Sequence, residues 1–170
     1  MLTLRPGTPV VLPSPNGATI AIEAAARGVP FVLAGCLRNA TATARRARTL
    51  AHDGAIGVIA AGERHVESSG GGAVDEHPIR FAVEDLIGAG AVLHAIDPAG
   101  SIGPPCCSPE ARAARAAFLD ARPDLHQMLI TCGSGRELAG RTCVDDVTTA
   151  AEHDATRLAA QLIDGRFIGV

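Results

Sequence analysis

The alternation of apolar and helical segments between Pro9 and Ala60 most narrows what this chain can fold into. Val10-Val11-Leu12, Phe31-Val32-Leu33-Ala34 and Ile56-Gly57-Val58-Ile59-Ala60 are short, apolar and rich in β-branched residues. Such runs read as buried strands. Between them, Ala18 to Arg27 reads as a helix that Gly28 stops, and the Ala- and Arg-rich run from Asn39 to about His52 reads as a second. Strand, helix, strand, helix, strand predicts right-handed crossovers and a mostly parallel sheet, hence an α/β fold. Further on, helices are expected over Arg80 to about Ala95, from Ser108-Pro109-Glu110 to near Ala121, and over Asp124 to Thr131. Cys132 to Arg136 reads as a turn, Asp145 to Leu162 as helix in up to two pieces, and Phe167 to Val170 as a final strand.

Composition narrows the function classes. With 170 residues, 47% of them hydrophobic, the chain (1–170) suits one domain that removes about 70% of its unfolded surface from water. No apolar run approaches the ~20 residues of a membrane helix, and no basic segment leads into an apolar one. The expectation is a soluble cytoplasmic protein with no membrane partner. Four Phe, no Trp and no Tyr provide few rings for stacking bases, which argues against a nucleic-acid partner. The five cysteines are expected as free thiols.

Four clusters share a grammar in which glycine or proline ends an element and polar groups follow. They are Ser14-Pro15-Asn16-Gly17, Gly35-Cys36-Leu37-Arg38-Asn39, Gly62-Glu63-Arg64 and Gly133-Ser134-Gly135-Arg136-Glu137. The first three follow the expected strands and would gather at the carboxyl edge of a parallel sheet, where such folds bind ligands. Glycines admit close approach of backbone N–H groups to an anion, and Arg38, Arg64 and Arg136 add guanidinium forks. Glu63, Glu84, Asp85, Asp145 and Asp146 offer hard oxygens suited to Mg²⁺. The joint reading is a pocket for a small polyanion with a divalent metal. Each cluster also has a plainer reading: Ser-Pro-Asn-Gly as a turn, Asn39 as an N-cap, Glu84-Asp85 as an exposed pair, and Asp145-Asp146 as a helix start. Cys132 and Arg136 stand too close in sequence for a cysteine phosphatase loop, and no histidine pair or nucleophile elbow is present.

The run Leu12-Pro13-Ser14-Pro15-Asn16-Gly17-Ala18-Thr19, followed by Ala34-Gly35-Cys36-Leu37-Arg38-Asn39-Ala40, resembles the 2-phosphosulfolactate phosphatase family of coenzyme M biosynthesis. The likeness continues through Ala61-Gly62-Glu63-Arg64, Glu84 to Ala91, Ser134-Gly135-Arg136-Glu137-Leu138, Asp146 and Ala150 to Asp154. The resemblance implies a three-layer α/β/α fold and a Mg²⁺-dependent hydrolase that converts 2-phospho-3-sulfolactate to 3-sulfolactate and phosphate. Its implied catalytic positions are Arg38, Glu63, Arg64, Arg136 and Asp146, with Glu63 and Asp146 on the metal. Ser14, Asn16, Gly17, Asn39, Ser134 and Gly135 would contact the small phosphorylated acid. Members of that family carry a further N-terminal part before Ser-Pro-Asn-Gly, with an acidic strand end and a run of hydroxyl residues. Here Met1 stands shortly before the motif, and the Gly70-Gly71-Gly72 loop within Val66 to His77 is longer than the family's connection. The alternative expectation is therefore a catalytically inactive member that binds a small anion or forms a homo-oligomer.

Overall fold

The computed structural model describes residues 4–5, 7–12, 16–64 (the Arg64 side chain excepted), 79–103, 106–140 and 144–170. Expectations placed on Ser14, Cys143 and the loop from Val66 to His77 lie outside the described residues. The elements present are mixed α and β. Helix α1 (Gly17–Ala26) precedes strand β1 (Leu33–Ala34), and a 3-10 turn (Leu37–Asn39) leads into α2 (Ala40–Ala51). Strands β2 (Glu63–Arg64) and β3 (Ile79–Arg80) then precede α3 (Val83–Ile96), α4 (Pro109–Ala121), α5 (Leu125–Thr131), α6 (Gly133–Gly140) and α7 (Val144–Ala150). The chain closes with β4 (Ala160–Ile163) and β5 (Arg166–Gly169).

Local signals in the sequence account for the helix starts. Ser108 caps α4, its Oγ accepting the Ala111 N–H at 3.2 Å, and Pro109 occupies the first turn. Asp124 caps α5 in the same way through the Gln127 N–H at 3.1 Å. Helix α2 is capped from a distance. Asp154 accepts both the Thr41 N–H (2.8 Å) and the Thr41 hydroxyl (2.7 Å), which ties the 151–156 segment to the start of that helix.

The core is built from helices. Ala40 and Ala44 of α2, Ile87, Ala91 and Val92 of α3, Phe118 and Ala121 of α4, Leu125 and Leu129 of α5, and Val147 of α7 form one buried cluster. Gly90 sets the spacing of α3 against α4. A Cβ there would lie 2.0 Å from the Ala114 carbonyl oxygen and 2.8 Å from Phe118 Cβ. No helix among the described residues is long and apolar enough to cross a membrane.

The sheets depart from the parallel arrangement expected. Among the described residues every strand pairing is antiparallel: β1 with β4, β4 with β5, and β2 with β3. The expected strands Val10 to Leu12 and Ile56 to Ala60 join no ladder, and Val11 is 90% exposed. Their composition is strand-like, but a strand exists only where another backbone meets its N–H and C=O groups. Three boundaries also shift. Helix α3 starts at Val83, leaving Arg80 in a strand, and Gly133 to Arg136 enters α6, with only Cys132 left as a bend after α5. The segment expected as helix to Leu162 ends its helix at Ala150 and becomes β4. Asp164 and Gly165, both with positive φ, make the two-residue turn of the β4–β5 hairpin, which the twist of paired strands favours. The expected final strand is present as β5.

Candidate functional site

The β2–β3 ladder places Glu63 directly opposite Arg80, so both side chains stand on one face. Gly62 permits the approach. Its φ is +72°, and a Cβ there would lie 2.5 Å from the Ile79 side chain and 3.0 Å from the Arg80 carbonyl oxygen. Asn16, at the start of α1, donates from Nδ2 to Glu63 Oε1 at 2.8 Å. The Asn16 Oδ1 atom is buried with no partner among the described residues.

Arg80 carries this face across to α6. Its Nη2 donates to Ser134 Oγ at 3.0 Å and lies 3.5 Å from Glu137 Oε1. Ser134 in turn donates its hydroxyl proton to Glu84 at the start of α3. A shallow cleft of about 210 Å³, lined by Gly62, Ile79, Arg80 and Phe81, opens beside this network. Asp85 is held above the ordinary carboxylate range, first by burial and then by Glu84 and Glu63. The Gly62 N–H and the Arg80 charge oppose that rise. Thus α1, β2, β3, α3 and α6 each contribute a polar group to one place.

The residues proposed from sequence do not share one location. Asn16, Glu63 and Ser134 belong to the network just described, and Gly17 opens α1 beside Asn16. Arg64 lies in β2 opposite Ile79. Gly135 is buried where α5 and α6 approach closely, since a Cβ there would meet the Leu129 carbonyl oxygen at 1.9 Å. Arg136 is exposed on α6. Arg38 is engaged elsewhere: its Nη1 donates to the Thr149 carbonyl at 2.7 Å and to Glu152. Asn39 closes a local turn, accepting the Cys36 N–H at 2.8 Å and donating to the Ala34 carbonyl at 3.1 Å. Asp146 is exposed in the first turn of α7.

Arg80 and Glu137 complete the network; Glu137 lies in the Gly133 to Glu137 cluster without an assigned role, and Arg80 lies in none of the four clusters. The signal for Arg80 was the apolar-polar-apolar alternation Ile79-Arg80-Phe81, which marks a strand with one polar face. Cys132 lies close to Glu84. Burial pushes its thiol up, and its Sγ donates to the Leu129 carbonyl at 3.0 Å.

Among the described residues no group of three or more His, Cys, Asp or Glu is placed to hold a metal ion. Mg²⁺ does not require such a group, because it keeps several waters and binds through one or two carboxylates plus substrate phosphate. Glu63 and the unpartnered Asn16 Oδ1 beside it are hard oxygen donors and suit that ion in kind.

No curated protein matches the chain closely enough to transfer a role. The family model described as 2-phosphosulpholactate phosphatase matches residues 4–164, nearly the whole length. By that match, the chain belongs to the 2-phosphosulpholactate phosphatase family.

Proposed function

We propose that the chain acts as a single α/β domain in the cytoplasm, a Mg²⁺-dependent phosphatase for a small acidic phosphomonoester. By family, the substrate is 2-phospho-3-sulfolactate and the products are 3-sulfolactate and phosphate. The observation that carries this reading is the meeting of Glu63, Arg80, Asp85 and Ser134 beside one cleft in a chain of a phosphatase family. Membership supports the coenzyme M pathway as the setting. The three-layer α/β/α fold belongs to this reading through the family alone.

Each group has a task in this reading. Arg80, held against Ser134, presents its guanidinium to the phosphoryl oxygens, where charge spreads as the bond to the acid loosens. Water oxygen bonds to phosphorus, and the bond from phosphorus to the bridging oxygen of the acid breaks. Asp85, whose raised affinity for protons suits it to both directions, takes the proton from water and returns one to the departing oxygen. Mg²⁺, when held by Glu63 and Asn16, would neutralise phosphate charge. Ser134 positions Arg80 and Glu84. Arg38, Asn39, Arg64, Arg136 and Asp146 enter as motif positions through the family alone.

Phosphate release from 2-phosphosulfolactate and from 2-phospholactate, with Mg²⁺ and with chelator, tests the proposal. Release that the chelator abolishes is the expected result. Binding of phosphate or sulfolactate by a folded chain without any hydrolysis would replace it with the second reading, an inactive anion-binding or oligomer-forming member.

A further inference from the structure

A second cavity, of about 340 Å³, lies where α2, α3, the end of α4 and the 151–154 segment meet. It shares no residue with the candidate active site. Arg45 and Arg48 line it from α2, Arg122 from the end of α4, His94 from α3 and His153 from the loop before β4. Three permanent positive charges thus face a single carboxylate, Asp154. That carboxylate is already committed, to the Thr41 N–H and hydroxyl and to His153 Nε2 at 3.5 Å.

The arginines are not committed. Among the described residues neither the Arg45 nor the Arg122 guanidinium has a hydrogen-bond or ion-pair partner, and Arg48 reaches only the Ile96 carbonyl, at 3.4 Å. Like charges gathered in a concave wall repel one another and raise the local potential for an anion. His94 Nδ1 is buried there with no partner among the described residues. Burial, then Arg115, Arg122 and His153, hold His94 below its ordinary value, with Asp97 opposing. An unpartnered imidazole nitrogen amid guanidinium groups leaves donors in place for an anion to meet.

We propose that this cavity binds a small oxyanion carrying at least two negative charges, gripped by Arg45, Arg48 and Arg122 and contacted by His94. The class follows from the lining. Guanidinium forks match phosphate or carboxylate oxygens in pairs, and the volume falls at the small end of ligand pockets. The inference does not rest on the phosphatase reading, because none of these residues has a place in that chemistry.

Histidine NMR of the full chain, titrated with inorganic phosphate in the presence of chelator, tests it. The His94 and His153 ring signals are expected to shift and saturate, and the midpoint for protonating His94 is expected to rise as an anion joins the cations around it. Arg45→Gln and Arg122→Gln should each weaken the phosphate dependence by about tenfold. Arg80→Lys should leave the histidine shifts as they are, which separates this site from the catalytic one. Sodium chloride at matched ionic strength is expected to produce no saturable shift. Histidine signals unmoved by phosphate in a folded chain would overturn the proposal. So would an equal effect of chloride, or full affinity in both arginine variants. Circular dichroism checks that each variant is folded, and either variant alone decides the outcome.

Discussion

Arg80 owes its place to two short strands and one serine, and its fork shape is what the site uses. Opposite Glu63 across the ladder and bonded to Ser134, it lines the cleft with its guanidinium held from α6. Lysine offers a point charge with no such fork, so Arg80→Lys should lower turnover by about 100-fold while the fold persists. Steady-state phosphate release checks this. Asp85 carries a pH signature. Its folded-state proton affinity exceeds that of an unfolded aspartate, so the folded chain binds more protons at pH values just above the ordinary aspartate value of 3.8. The stability it confers is present below that value and is lost as pH rises through the folded one. Asp85→Asn should therefore raise the melting temperature at neutral pH and flatten that dependence, while cutting hydrolysis by about 100-fold. Melting curves across pH alongside rates distinguish this from general damage, which would lower both.

At the scale of elements, glycine chemistry separates two positions that look alike in sequence. Gly88 and Gly90 both sit in α3, but only Gly90 faces another backbone. Gly90→Ala must push α4 away and should cost about 1–3 kcal/mol or more. Gly88 meets nothing within 4 Å among the described residues, so Gly88→Ala should gain about 0.5–1 kcal/mol from reduced backbone entropy in a helix. Urea denaturation of the two variants measures both signs. The helices were legible because their determinants are local: Ser108-Pro109-Glu110 starts α4 and Asp124 starts α5 where the sequence placed them. The β4–β5 hairpin carried its own signal as well, Asp164-Gly165 between Leu162-Ile163 and Phe167-Ile168. The Ala-rich stretch before it reads as helix by propensity, and the ladder with β1 overrides that reading.

Across the whole molecule, stability concentrates in the helical cluster around Phe118. That ring is 0% exposed, with His94 and His153 rings at 5.6 and 5.3 Å, so it joins α3, α4 and the segment that caps α2. Phe118→Ala should cost about 3–5 kcal/mol and melt these elements together, read as one cooperative loss by circular dichroism. Arg38 serves the same integration. By gripping Glu152 and the Thr149 carbonyl, it fastens the entrance of α2 to a segment more than a hundred residues away.

The sequence by itself determined the mixed α and β content, the helix starts of α4 and α5, and the motifs that mark the family. Capping, proline and periodicity act within a few residues, so they can be read in order along the chain. Only the tertiary structure decided that the described strands pair antiparallel, and that Val10 to Leu12 and Ile56 to Ala60 form no ladder. It alone brought Arg80 to Ser134 and lined one cavity with both Arg45 and Arg122. Strand pairing and charge clustering join residues far apart in sequence. No local pattern encodes which backbone or which charge will be the neighbour.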